Sequence, residues 1–278
     1  MSDETKKRHL HAFVICAYKE SGYLEDCIRS LKNQSRKSHI CMVTSTDNAF
    51  IRGLADKYDI PLSINHGKAG IAGDWNFGID TANALFTTIA HQDDIYERDY
   101  AKCVMAAVNK NRRRNRGYLP QIIFTDYSEI KDGKKSASSP LIAAKRLLLT
   151  PFYLKNSIAS PAVKKTVLSL GNAICCPSVT YCTDRVRSDV SSPVFDSAYA
   201  SNLDWEKWTQ LAAEPGAFLY VPKRLMAHRI HEGSETSKLI EDNGRGQEDD
   251  EMFYRTWPAP VAALLSRIYR VGQRFNRS

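Results

Sequence analysis

The tetrapeptide His91-Gln92-Asp93-Asp94 follows directly on Leu85-Phe86-Thr87-Thr88-Ile89-Ala90. That β-branched and apolar run reads as a buried strand, so the chain delivers two adjacent carboxylates to a strand end. In an open parallel sheet, ligands bind outside the carboxyl ends of the strands. Carboxylates placed there suit a hard divalent cation, which can in turn hold a diphosphate. The competing reading is a cap: Asp93 or Asp94 would then open a helix over Tyr100 to Asn109. Further polar clusters stand elsewhere in the chain, at Gly67 to Asn76, Asn202 to Glu206 and His228 to Thr236.

The elements that must position these groups alternate between strand and helix over the first 126 residues. Ala12 to Cys16 reads as a buried strand, and Leu24, Cys27, Ile28 and Leu31 repeat at helical spacing with Ser21 as a cap. Ile40 to Thr44 is the next strand, followed by a helix marked by Ile51, Leu54, Ala55 and Tyr58. Pro61 to Ile64 is a short strand, Asp74 to Asn83 a helix, and Gln121 to Asp126 a strand that follows a helix over Asp99 to Asn109. Such alternation with short loops predicts a mostly parallel sheet covered on both faces. Lys131 to Pro140 is polar, small and Pro-terminated, and reads as a mobile loop. Beyond it, residues 141–156 and 161–170 read as helical and 217–221 as a strand. The expected organisation is a polar tail over 1–9, an α/β half over 10–130, a more helical half of the same domain over 141–256, and a terminal helix over 257–278.

Composition narrows the function classes. The 278 residues are 43% hydrophobic and 25% charged, ordinary for a globular protein. No run of about 18 apolar residues suggests a membrane span, and the polar start lacks the apolar core of a signal peptide, so the expectation is a cytoplasmic protein. Seven cysteines include no Cys-x-x-Cys pair, which argues against a zinc site or disulfide framework. A net charge of +8, clustered at Lys110 to Arg116, Lys131 to Lys135 and the C-terminal arginines, favours polyanionic partners. A nucleic-acid-binding protein would interleave basic residues with aromatics, which Arg112 to Arg116 does not, so no nucleic-acid partner is expected. A metal-dependent nucleotidyltransferase would need a Gly-rich basic loop after the first strand, where Tyr18-Lys19-Glu20-Ser21-Gly22 stands instead.

Taken in order, Cys16-Ala17-Tyr18-Lys19-Glu20, Thr44 to Asn48, Gly67 to Asn76, His91 to Asp94, Asn202 to Glu206 and His228 to Thr236 resemble the family 2 glycosyltransferases. The resemblance spans roughly residues 10–240. It implies a GT-A-type, Rossmann-like, mostly parallel sheet flanked by helices, with a more helical acceptor-side region. It also implies an inverting enzyme that uses a nucleotide sugar, a UDP-sugar, and a divalent cation, Mn2+ or Mg2+. The implied acceptor is a hydroxyl of a bacterial surface glycan such as lipopolysaccharide, free or lipid-linked.

Residue by residue, the resemblance places Ala17, Tyr18 and Glu20 near the nucleotide base, with Cys16 where a proline is usual. Tyr18 would stack on uracil, a contact worth about 1–3 kcal/mol per base, or else serve as a core tyrosine. Ser45 stands where the family carries a base-reading acid, and Asp74 either reaches the base or caps a helix, with Gly70 and Gly73 letting the chain approach the nucleotide. His91 replaces the first acid of the family's metal motif, Gln92 lies in the donor site and Asp93 is the metal-binding position. Asp204 matches the catalytic base, its alternative being an N-cap. Arg229 would neutralise phosphate, and His231 would touch metal or phosphate; His228 and His231 have no third partner nearby for a zinc-like site. The segment 228–246 is expected to close over the donor. In the tail, Val261, Leu264, Leu265 and Ile268 form an apolar stripe opposite Arg267, Arg270 and Arg274, fitting either peripheral contact with an anionic membrane or a helix packed on the domain.

Overall fold

The computed structural model describes residues 8–68, 70–187, 189, 192–231 and 244–273. Ten strands form one sheet: β1 (His9–Ala17), β2 (His39–Thr44), β3 (Leu62–Ile64), β4 (Ala84–His91), β5 (Ile95–Tyr96), β6 (Ile122–Lys131), β7 (Lys134–Ser136), β8 (Ser157–Ile158), β9 (Val179–Cys182) and β10 (Phe218–Ile230). The helices are α1 (Leu24–Lys32), α2 (Ala49–Lys57), α3 (Ile71–Ala82), α4 (Tyr100–Arg114), α5 (Pro140–Leu148), α6 (Thr150–Leu154), α7 (Pro161–Ser169), α8 (Thr183–Val186), α9 (Leu203–Ala213), α10 (Gly244–Tyr254) and α11 (Ala259–Gln273).

Sheet order is β3-β2-β1-β4-β9-β6-β10-β5. β1, β2, β3 and β4 are parallel, and β6 is parallel to β10. β9 runs antiparallel to both β4 and β6, so the two parallel groups point the same way. Their carboxyl ends therefore share one edge. The sheet is mostly parallel, as expected, but β9 has no signal in the sequence: it is four residues long and buried throughout.

Burial on both faces explains the unbroken apolar strands. Ala12 to Ile15 of β1 are fully buried, Phe13 and Ile15 facing α1 and α4, Ala12 and Val14 facing α3. α3 lies so close that a Cβ on Gly78 would stand 2.6 Å from a Val14 methyl.

Several boundaries differ from expectation. Lys131 to Pro140 is not an open loop, because β6 and β7 form a hairpin across Asp132-Gly133. Both turn residues have positive φ, +50° and +72°, the two-residue geometry that Asp-Gly favours. The helix expected over 141–156 is split at Leu149 by Pro151. β10 runs nine residues past Val221, with register shifts between Val221 and Met226 that turn its end toward β5. Ser21 does not cap α1, whose N-cap position is Tyr23 with no side-chain cap.

Candidate functional site

The carboxyl ends of β2, β1 and β4 lie side by side, and β10 reaches the same edge from the far end of the chain. There the adjacent acids Asp93 and Asp94 take opposite roles. Neither caps a helix, since α4 begins at Tyr100 with Asp99 before it. Asp94 is 1% exposed and accepts the Arg229 N–H at 2.8 Å, with His228 Nδ1 at 3.1 Å. Burial works against its charge, but the His228 imidazole and the Arg229 N–H outweigh it and hold the carboxyl below its ordinary value. His228 shows the reverse: burial opposes its charge, and Asp94 raises it overall. His91 Nδ1 lies 3.9 Å from Asp94, yet burial dominates there and pulls His91 down, favouring the neutral ring.

Asp93 is turned outward. Its Oδ1 accepts the Ser21 hydroxyl at 2.7 Å and its Oδ2 stands 3.2 Å from His231 Nε2. Arg229 braces the backbone here, donating from Nε to the Asp93 carbonyl at 3.0 Å, with its guanidinium 4.2 Å from the Tyr23 ring centre. Asp93, His231 and Arg229 are thus brought together, and His228 joins them through Asp94. Ser21 and Tyr23 were missed, because nothing local distinguishes them from ordinary helix-start residues. Among the described residues, no group of three or more His, Cys, Asp or Glu side chains is assembled to hold an ion by itself. Of the expected closing segment, residues 232–243 lie outside the described residues.

The other half of the edge is built around Tyr18. Gln92 grips its backbone from both sides, accepting the Tyr18 N–H at 2.9 Å and donating to the Tyr18 carbonyl at 3.1 Å. Lys19 follows at φ +53° and donates its N–H to Thr46 Oγ1. Tyr18 is 37% exposed, so it is not a core residue. Glu20 is exposed beyond it, and Ala17 is buried at the strand end. Asp74 sits inside the first turn of α3, whose N-cap position is Gly70, and so is not the cap. It is buried, accepting Ser45 Oγ at 2.8 Å and Asn65 Nδ2 at 2.8 Å. Gly73 is needed for a close approach within the chain: a Cβ there would stand 1.8 Å from the Lys68 carbonyl oxygen.

Asp204 lies at the second position of α9, with Asn202 at the N-cap, so the capping alternative fails for it also. The carboxylate is 7% exposed and accepts the Trp205 N–H at 2.6 Å and Asn172 Nδ2 at 3.3 Å. The first turn of a helix favours negative charge. Asp204 is joined to the acidic motif through a residue that sequence reasoning passed over. The Cys176 thiol hydrogen-bonds Asp204 and lies 3.9 Å from His91 Nε2, while the other His91 nitrogen faces Asp94. Burial keeps this thiol protonated, with a pKa well above the usual value. The His91 ring is stacked on Trp75 at 5.3 Å.

The same fold recurs in solved structures. S. aureus TarS 1–349 with UDP-GlcNAc superimposes with a TM-score of 0.59 and 14% identity, covering 92% of this chain and 66% of that one. The same fragment with UDP gives 0.56 and 12% identity, covering 80% and 61%. A longer TarS structure gives 0.56 and 13%, covering 80% and 37%. The chain therefore spans between about a third and two thirds of these structures, and at such identities the likeness is one of fold, of GT-A type. No curated protein compared with the chain matches it. The profile of Glycosyl transferase family 2 matches residues 12–161, from within β1 through the first residue of α7. With more than half of its length matched, and with the strand order and carboxyl-edge acids described above, the chain belongs to glycosyl transferase family 2.

Proposed function

We propose that the chain transfers a sugar from a uridine diphosphate sugar to an acceptor hydroxyl, with inversion at the anomeric carbon. The observation that carries this is one outward-facing carboxylate, Asp93, and one at a helix start, Asp204, on a single edge where Cys176 and His91 connect Asp204 to Asp94, the chain neighbour of Asp93. Tyr18 offers a ring face to the base, and Asp74 with Ser45 a polar wall beside it. TarS, the structural relative, is recorded with UDP and UDP-GlcNAc bound, which supports the uridine assignment.

Asp93 and His231 fit a divalent cation. Two ligands at right angles on an octahedral ion with bonds of about 2.1 Å stand about 3 Å apart, close to the 3.2 Å between Asp93 Oδ2 and His231 Nε2. Two protein ligands with diphosphate oxygens and water completing the shell is the usual pattern for Mg2+ and Mn2+ at phosphate sites. Bound there, the cation would neutralise charge on the departing diphosphate. Asp204 accepts the proton of the acceptor hydroxyl as its oxygen bonds to the anomeric carbon. The bond from that carbon to the diphosphate breaks, its electron pair leaving with UDP. Arg229 adds positive charge beside Asp93.

A thermal-shift screen of UDP, GDP and dTDP, each with and without manganese, tests the donor reading, because a ligand bound only by the folded state raises stability. UDP with manganese should raise the Tm most. Equal or absent shifts for all three would overturn the uridine assignment.

The acceptor we propose is a surface-glycan hydroxyl carried on a lipid, met at an anionic membrane. α11 supports this with two apolar faces. Ala262, Leu265 and Tyr269 pack inward, whereas Val261, Leu264, Ile268 and Val271 are 40–60% exposed along one outer line. Leu265 thus leaves the stripe expected from sequence and Val271 joins it. Arg267 borders this line, and each such charge near an anionic surface adds about 1 kcal/mol. Leu264→Glu with Ile268→Glu leaves the inner packing alone and should abolish flotation with anionic liposomes. Unchanged flotation, or none by the unaltered chain at low salt, would remove the membrane contact. No helix among the described residues is long and apolar enough to cross a membrane.

A further inference from the structure

The helix that presents Asp204 has no cap of its own. Asn202 occupies the N-cap position without a side-chain bond to α9, and its Nδ2 instead donates to Asp249 Oδ1 at 2.8 Å. Both Asn202 and Asp249 are fully buried. The orphan amides of the preceding turn are taken by a carboxylate from the next helix. Glu248 Oε1 accepts the Ala200 N–H at 2.7 Å. Its Oε2 accepts the N–H groups of Ser201 at 2.9 Å and Asn202 at 2.8 Å, and the Ser201 hydroxyl at 2.7 Å. Burial works against this carboxylate, but the four donors outweigh it and keep its pKa below the ordinary value.

A local cap would satisfy one or two amides and move with its own helix. A carboxylate 46 residues beyond Asn202 does something further: it ties the height and rotation of the α9 start to α10. Charge-assisted bonds of this kind are short and roughly twice as strong as neutral ones. Asp204 stands two residues beyond the clamped turn, so a small slip of that turn moves its carboxylate relative to the acceptor oxygen. α9 meets α10 elsewhere too, with the Trp205 ring 5.3 Å from that of Phe253 and Asn202 Nδ2 on Asp249, but these contacts are made by side chains, whereas Glu248 holds the backbone amides of the turn itself.

We infer that Glu248 is a positioning residue for the reaction, its carboxylate setting where the first turn of α9 holds Asp204. The inference rests on Asp204 acting as the base. Glu248 touches neither Asp93, Tyr18 nor any group assigned to the donor, so its effect falls on turnover rather than on donor binding.

The test reads UDP released from UDP-GlcNAc, UDP-glucose and UDP-galactose with manganese, for the full chain and for Glu248→Gln, Glu248→Asp, Ser201→Ala and Asp204→Asn. Glu248→Gln keeps the size but turns an amide toward the donors. It should lower kcat by about 10–100-fold, the scale of an ångström-sized misplacement, with donor KM changed by less than about twofold on that same account. Glu248→Asp, which keeps the charge, should recover part of the loss. Ser201→Ala removes one bond without threatening the fold and should lower kcat several-fold. Normal kcat in Glu248→Gln beside an inactive Asp204→Asn would overturn the positioning role and leave the base in place. Falls of kcat, donor affinity and Tm together in Glu248→Gln, with Ser201→Ala silent, would also overturn it, reducing Glu248 to a stabilising cap. Normal turnover in Asp204→Asn, or no release by the unaltered chain from any of the three sugars, would remove the reading on which the inference stands.

Discussion

Two charged side chains are buried at opposite edges of one sheet, and only one of them lies in the proposed site. At the amino edge, where β6 and β10 begin, Lys164 of α7 is wholly buried. Its Nζ lies within 2.8–3.1 Å of four oxygens: the Gln121 side chain and the carbonyls of Leu211, Glu214 and Gly216. Gly216 has φ +147°, and a Cβ there would stand 2.6 Å from the Gln121 side chain, so the cage is also closed sterically. At the carboxyl edge Asp94 is equally buried and equally satisfied. Its partners, however, sit beside groups that face outward: Asp93 next in the chain, and His231 three residues past His228. A polar cluster whose every acceptor is consumed internally holds elements together. One that fixes its neighbours while leaving their polar atoms directed outward is built to meet a ligand. Burial and an altered pKa are common to both and do not separate them.

The sharpest way to break this contrast is Asp204→Asn, which keeps shape and removes proton acceptance. Turnover should fall by roughly 10²–10⁴, while UDP affinity and Tm stay near those of the unaltered chain. Comparable loss of UDP binding would mean that the carboxyl edge behaves as one structural unit, like the Lys164 cage. Next in size is Lys164→Met. It strands four oxygens and should cost about 2–4 kcal/mol, a fall in Tm of roughly 5–15 °C for a chain of this length, with manganese-dependent UDP binding intact in the folded protein. Calorimetry and a UDP titration on the same sample decide it, and loss of binding without loss of stability would reverse the assignment of the two edges.

Asp93→Ala should do the opposite of Lys164→Met. The Tm should hardly move, whereas UDP affinity in manganese should drop to its metal-free level, about 10–100-fold, as for single partners of metal sites. Unchanged manganese dependence would take the cation away from Asp93 and His231.

The smallest effect is one of pH. Burial pulls the Lys164 ammonium from 10.5 down to about 8, so the folded protein gives up this proton before the unfolded chain does. Stability from this residue therefore grows as pH rises from 8 toward 10.5, and is lost as pH falls through 8. Relative to Lys164→Met, the unaltered chain should gain about 1 kcal/mol between pH 7 and pH 9. A difference that stays flat over that range would mean the four oxygens hold the lysine at its ordinary value.

Much of this was legible before any coordinates. Strands at Ala12 to Cys16, Ile40 to Thr44 and Leu85 to Ala90, and the helices between them, follow from apolar periodicity, which depends only on near neighbours and the need to cover a sheet on both faces. Parallel strands then send their ends to one edge, which puts Asp93 at a ligand-facing strand end, and the family resemblance adds Tyr18 and Ser45 beside it. Trp205, Trp208 and Ala212 repeat at helical spacing, and all three are fully or nearly fully buried. The Asp132-Gly133 turn was present as a local signal and was passed over in favour of the polar character of its flanks.

What the tertiary structure alone decided are the pairings between residues far apart in the chain. Asp93 and Asp94 are indistinguishable by type. Only β10, arriving 134 residues later with its bulge, chooses which one is buried by bringing His228 and the Arg229 N–H against Asp94. Ser21 against Asp93, Cys176 between His91 and Asp204, Glu248 beneath the start of α9 and Lys164 in its cage are of the same kind. A serine, a thiol, a glutamate or a lysine on a polar stretch carries no local mark of its partner. Its role is set by a hydrogen bond that forms once the sheet and helices have packed, and the burial that makes such bonds obligatory exists only in the folded chain.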